Sequence, residues 1–320
     1  MSPFSRRRRQ RLARFGLFVA LAGGLGLGIA TFANSAVGPG TDRVPEAVAE
    51  EVAEAPAVVA PEIDPTRLAW PAQGAAAVAV GDGPVVARSD HAVPMASITK
   101  LVTALMVLEE RPLAVGEAGA EYHFVEKWNA SYEEYTARGE SALKVPVGGI
   151  LTEYQLLQGM LIGSACNYAD ILVADIWGDD AAFAVAARDF LAGHGLTDIT
   201  IVEATGIDPA NTATAAALIE LGRLALAHPV IAEIVATPAV ELPGAGLVEN
   251  TNDLLADPGV VGIKTGTLEG SSLLSAKDVA HADGTVRVYA VVLGQVDDEA
   301  RFTESRALYA AVESQLSAIG

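Results

Sequence analysis

Three short motifs stand in order along this chain of 320 residues: Ser97-Ile98-Thr99-Lys100, Ser164-Ala165-Cys166 and Lys264-Thr265-Gly266. Together they offer a serine, a lysine able to take its proton, a second hydroxyl and a cationic strand able to hold a carboxylate. A serine hydroxyl is a poor nucleophile until a base removes its proton. Positions i and i+3 lie about 60° apart around a helix, so Ser97 and Lys100 share a face if their segment is helical. A lysine with the ordinary pKa of about 10.4 serves as a base only where burial or a neighbouring cation lowers it, and Lys264 is the candidate cation. In the third motif the glycine admits a bound chain close to the backbone, while the threonine hydroxyl and the ammonium can receive a carboxylate. Spacing alone is weak support, because Ser141-Ala142-Leu143-Lys144 repeats Ser-x-x-Lys in what reads as a loop leading into a strand. Lysines are scarce, however, and of the five (Lys100, Lys127, Lys144, Lys264, Lys277) two fall inside the motifs.

The elements that must position these residues follow from the hydrophobic pattern. Ala75 to Val80, Gly81-Asp82-Gly83 and Pro84 to Arg88 read as two strands around a tight turn. Ala96 to Glu110 carries Leu101, Val102, Leu105, Met106 and Leu108 at helical spacing, which puts Ser97 in the first turn of a buried helix. Arg111 to Val147 is polar and aromatic and reads as loops and short elements. Leu151 to Ile162, Tyr168 to Ile176, Asp180 to His194 and Ala213 to Ala227 read as helices. Gly259 to Lys264, Ser271 to Ala276 and Val286 to Leu293 read as strands, and Asp298 to Ala318 as a closing amphipathic helix. Strands at both ends with helices between them imply an α/β (α+β) fold: one sheet formed from both chain ends, flanked by helices, with an inserted α-rich lobe.

Charge divides the chain. Arg6, Arg7, Arg8, Arg9, Arg11 and Arg14 precede the first acidic residue, and without those six, 15 basic residues face 40 acidic ones, a formal charge of −25. Such a body is repelled by nucleic acid and anionic lipid. The arginines run into an uncharged apolar stretch, Phe15 to Ala33, close to the roughly 20 residues that span a bilayer. Basic residues before the run set the N-terminus inside and the body outside. Two readings stand: a transmembrane anchor over 15–36, or a signal peptide cleaved near Ala33-Asn34-Ser35. Residues 1–14 are then a basic cytoplasmic segment and 37–66, rich in Pro, Ala and Glu, an extended tether. The catalytic body spans 67–320. Cys166 is the single cysteine, which excludes an internal disulfide. His91, His123, His194, His228 and His281 show no ligand spacing, and no metal, nucleotide or other cofactor motif stands out.

From Leu68 onward the chain resembles the serine D-Ala-D-Ala carboxypeptidases, the low-molecular-mass penicillin-binding proteins. Beyond the three motifs the likeness covers Pro94-Met95-Ala96 before Ser97, Leu151 to Leu157 before Gly159-Met160-Leu161, Asp208-Pro209-Ala210-Asn211, Asn250-Thr251-Asn252, and Gly262 to Thr267, all in family order. The resemblance implies that Ser97 attacks the carbonyl between two terminal D-alanines of a peptidoglycan stem peptide and that Lys100 takes its proton. It implies a proton relay through Ser164, electrostatic support from Lys264, and carboxylate binding by Thr265 beside Gly266. Backbone N–H groups of Ser97 and Thr267 form the implied oxyanion hole, and β-lactams acylate Ser97.

The chain departs from that pattern in two places. The family has Ser-x-Asn in the second motif, and here Cys166 stands in the third position; Asn167 is one residue late, about 100° away around a helix. Cys166 is read either as a small space-filling residue or as an adapted substrate contact. The arginine that some family members place after the last strand to help bind the carboxylate is also missing from Gly294-Gln295-Val296-Asp297-Asp298, with Arg301 the nearest replacement. Two other readings compete. A β-lactamase needs a positioned carboxylate, for which Glu203 is the candidate, and a non-catalytic peptidoglycan sensor would tolerate the departures.

Overall fold

The computed structural model describes residues 61–281 and 284–319. The basic segment, the apolar run and most of the tether lie outside the described residues. Ala75–Val80 (β1) and Val86–Ala87 (β2) form the expected hairpin, and its turn closes where Gly83 N–H donates to Val80 O at 2.9 Å. Val93–Pro94 (β3) leads into a 3₁₀ turn, Ala96–Ile98, and a helix, Thr99–Glu110 (α1). The polar stretch that follows holds a strand, Glu121–His123 (β4), and a helix, Asn129–Ala137 (α2).

Ile150–Thr152 (β5) pairs with β4, and Thr152 caps Glu153–Leu161 (α3). The helix expected from Leu151 therefore starts two residues later. Gln155 N–H donates to Thr152 Oγ1 (3.2 Å) and Thr152 N–H to Gln155 Oε1 (2.9 Å), a reciprocal cap that fixes the boundary. Cys166–Ile176 (α4) and Asp180–Gly193 (α5) complete this part of the lobe. Ile199–Thr200 (β6) and Thr212–Ala213 (β7) join β3 in a small sheet. Ala215–Ala227 (α6), capped by Thr214, is followed by Pro229–Val235 (α7). The two are bent by 104°, and among the described residues no single helix is long and apolar enough to cross a membrane.

A hairpin of Ala239–Leu242 (β8) and Gly246–Glu249 (β9) comes next, then Val260–Thr267 (β10), Ser271–His281 (β11), Gly284–Gln295 (β12) and Asp298–Ile319 (α8). The main sheet runs β10-β11-β12-β1-β2, antiparallel at every pairing, so both ends of the chain build it as expected. All six residues of β1 are buried. Ala75, Ala77 and Ala79 pack toward the helical lobe, whereas Ala76, Val78 and Val80 pack toward Phe302, Leu308, Tyr309, Val312 and Leu316 of α8. Both faces of the sheet are covered, which is why β1 shows no apolar-polar alternation. Packing extends slightly ahead of the expected start at 67: Ile63 joins the α8 layer, and Asp64 N–H donates to Gln315 Oε1 at 2.8 Å.

Candidate active site

Ser97 sits in the 3₁₀ turn before α1, and Lys100 lies in the first turn of that helix. Two backbones press on this turn. A Cβ added to Gly206 would lie 1.9 Å from Ala96 O, and one added to Gly266 would lie 2.8 Å from Met95 O and 3.2 Å from Ser97 N. Only glycine permits both approaches. Among the described residues the two non-glycine positions with positive φ are Ala96 (48°) and Ser164 (58°), each beside a reactive group. Such backbone costs about 1–3 kcal/mol per residue and persists only where surrounding packing holds it.

Lys100 Nζ lies 2.8 Å from Ser97 Oγ, 2.6 Å from Thr205 O and 3.3 Å from Cys166 Sγ. Lys264, on β10, reaches Ser164 Oγ (3.0 Å) and Thr265 O (3.2 Å). Both lysines are fully buried, at 0% and 1% exposure, and these recorded partners are hydroxyls, a thiol and carbonyls rather than carboxylates. Burial, reinforced by the cations of Lys100 and Arg301, holds the Lys264 ammonium well below the ordinary lysine range. Burial likewise pushes the Cys166 thiol up, against the pull of Lys100.

Thr265 Oγ1 lies 2.6 Å from Thr251 Oγ1, so the Asn250-Thr251-Asn252 segment flanks the third motif. Arg301 is also there: from the first turn of α8 its Nη1 donates to Thr267 Oγ1 (2.9 Å) and Gly266 O (3.3 Å). The structure therefore gathers Ser97, Lys100, Ser164, Cys166, Lys264, Thr265, Gly266 and Thr267 into one continuous site. Asn167 does not enter it. Its amide donates to Leu143 O (2.7 Å) and accepts from Leu143 N–H (3.1 Å). Cys166 N–H donates to Ser141 O (2.9 Å) and Tyr168 Oη to Lys144 O (2.8 Å). The second Ser-x-x-Lys is thus a non-helical segment tied to α4 by its backbone, and Lys144 lies over the Tyr132 ring.

Two contributors were not read from the sequence. One is the Thr205 carbonyl, which no side-chain motif can announce; the other is the job of Glu203. Its Oε2 accepts from Thr205 N–H and Thr205 Oγ1 (both 2.6 Å), and its Oε1 accepts from Gly206 N–H (2.6 Å) and from the Asn211 amide. Both oxygens are committed to this loop, so Glu203 is not itself poised as a general base. The Glu-x-Thr-Gly spacing was a usable signal for such a carboxylate-braced turn.

An antiparallel sheet from both chain ends, a helical lobe and a Ser-Lys pair at its first buried helix place the chain in the fold shared by solved penicillin-binding proteins and DD-peptidases. The solved Streptomyces K15 DD-transpeptidase superposes with a TM-score of 0.65 at 21% identity, covering 76% of this chain and 98% of that one. A variant of it with a cysteine changed to asparagine also matches (TM-score 0.64, 22% identity), so that protein too carries a cysteine. Penicillin-binding protein D2 of Listeria monocytogenes, solved in its ampicillin-bound form, matches at a TM-score of 0.57 and 24% identity over 74% of this chain and 96% of that one.

The chain belongs to the D-alanyl-D-alanine carboxypeptidase family, peptidase family S11, whose sequence model matches residues 67–297. The D-alanyl-D-alanine carboxypeptidase DacB2 of Mycobacterium tuberculosis is 30% identical over 211 residues, 61% of this chain. The match takes in 66% of that relative, just under two thirds of its length.

Proposed function

We propose that this protein is a serine D-Ala-D-Ala carboxypeptidase that trims peptidoglycan stem peptides through an acyl-enzyme on Ser97. The observation that carries this reading is the 2.8 Å contact between Ser97 Oγ and a fully buried Lys100 Nζ. Lys100 takes the hydroxyl proton as Ser97 attacks the penultimate D-alanine carbonyl. The Ser97 and Thr267 N–H groups receive the developing oxyanion, an effect typically worth about 3–4 kcal/mol of barrier per donor. Ser164, held by Lys264, passes a proton to the departing amine, and Thr265 with its neighbours receives the terminal carboxylate. Water then cleaves the ester and restores Ser97.

β-Lactams acylate the same serine because their strained amide imitates the scissile end. The committed oxygens of Glu203 favour slow release of that adduct, and hence carboxypeptidase over β-lactamase. The arginine cluster and the apolar run Phe15 to Ala33 support an extracytoplasmic location, by an anchor or after export with cleavage. Peptidoglycan is the partner, and an acidic body does not favour nucleic acid. The test is D-alanine release from a stem pentapeptide. Wild type releases it and Ser97→Ala does not; equal release by both, or none by either, overturns the proposal.

A further inference from the structure

Lys100 Nζ has three neighbours, and one of them allows no choice of hydrogen-bond direction. Ser97 Oγ can donate or accept and Cys166 Sγ can do both weakly, but the Thr205 carbonyl, 2.6 Å away, can only accept. One N–H of Lys100 must therefore point at Thr205 O. For the neutral amine this leaves the second N–H and the lone pair to share the directions of Cys166 Sγ and Ser97 Oγ, and the arrangement competent to take the serine proton gives the N–H to the sulfur and the lone pair to the hydroxyl. The direction of the base thus depends on where the Thr205 peptide stands.

Glu203 holds that peptide. Its carboxylate brackets Thr205 and Gly206, accepting from both backbone N–H groups and from the Thr205 hydroxyl, each at 2.6 Å. The same clamp seats Gly206, at φ 86°, against the Ala96 carbonyl behind the nucleophile. Other bonds anchor the loop independently: Thr103 Oγ1 donates to Ala204 O (2.7 Å), and buried Asn211 accepts from Val202 N–H (2.7 Å) and donates to Glu203 O (3.1 Å). Glu203 is therefore not required merely to attach the loop. Its particular contribution is the orientation of the peptide between Thr205 and Gly206.

We propose that Glu203 is a positioning residue for acylation, acting through the Thr205 carbonyl to aim Lys100 at Ser97. This rests on the carboxypeptidase reading above. Glu203→Gln tests it, because the amide keeps the shape but turns an NH₂ toward N–H donors where an oxygen accepted. Acylation by a fluorescent penicillin is followed under saturating conditions, which separates the acylation rate constant from pre-covalent affinity. A misdirected base slows acylation by about 10-fold to 100-fold, since small misplacements of a reacting group carry costs of that order. Pre-covalent affinity stays within about 2-fold, because the loop bonds that Glu203 makes do not form the carboxylate subsite.

Glu203→Asp, which keeps the charge but withdraws it by one methylene, gives a smaller loss in the same constant and serves if the Gln variant does not fold. An unchanged acylation constant in either folded variant overturns the inference, as does an equal loss of affinity and acylation with a lowered melting temperature. A wild type that takes no label brings down the carboxypeptidase reading, and this inference with it.

Discussion

Lys264 is wholly buried, and its recorded bonds are to Ser164 Oγ and Thr265 O. The unfolded chain keeps this lysine's proton up to about 10.5, whereas the native pocket gives it up well before that. Between the depressed native value and pH 10.5 the unfolded state therefore binds more protons, and the native state loses stability as pH falls from 10.5 down to that native value. Lys264→Met should then stabilise the fold at pH 7, because it removes a buried amine whose charged form the pocket disfavours. That gain should shrink as pH approaches 10.5 in urea-unfolding measurements. The same variant should slow penicillin acylation by about 100-fold or more, comparable to the loss of one transition-state donor. Stability gained with activity lost is the signature of a charge retained for chemistry. Cys166 belongs to this scale too: it is 1% exposed and touches Lys100, so it fills space and contacts the proposed base at once.

Among the elements, the turn carrying Ser97 is shaped by neighbours distant in sequence. Gly206→Ala places a methyl carbon 1.9 Å from Ala96 O on backbone at φ 86°, so the loop or the nucleophile turn must shift. The expected cost is about 2–4 kcal/mol in denaturant unfolding, with acylation falling at least as sharply as in Glu203→Gln. An unshifted unfolding midpoint with normal acylation would contradict this packing. The buried helix behind Ser97 and the β10 strand behind Lys264 were legible because their apolar runs are long and regular. Shorter elements were not. β8 and β9 have four residues each, though Pro243-Gly244 between them is a turn signal. Two-residue strands such as β6 and β7 leave no periodicity to read. The contribution of Thr205 is a backbone atom, which sequence patterns of side chains do not encode.

Across the whole molecule, the two ends of the described body clasp each other. Ile63 packs with the residues of α8, while Gln315 accepts from Asp64 N–H and donates to Asp64 O (3.2 Å). The Ile63→Ala, Gln315→Ala double variant should lose about 2–4 kcal/mol, from one largely buried aliphatic chain and two hydrogen bonds. Its acylation rate should match wild type, because the clasp lies on the face of the sheet away from the lobe. Sheet and lobe meet at the Ser97 turn, where the proposed covalent intermediate forms. The direct measurement is the intact mass of the protein after brief exposure to penicillin, with peptide mapping of the adduct. One penicilloyl addition is expected, on the peptide bearing Ser97, absent in Ser97→Ala and lost only slowly after the drug is removed. No addition, rapid loss by turnover, or an adduct on Cys166 or Ser141 would contradict it.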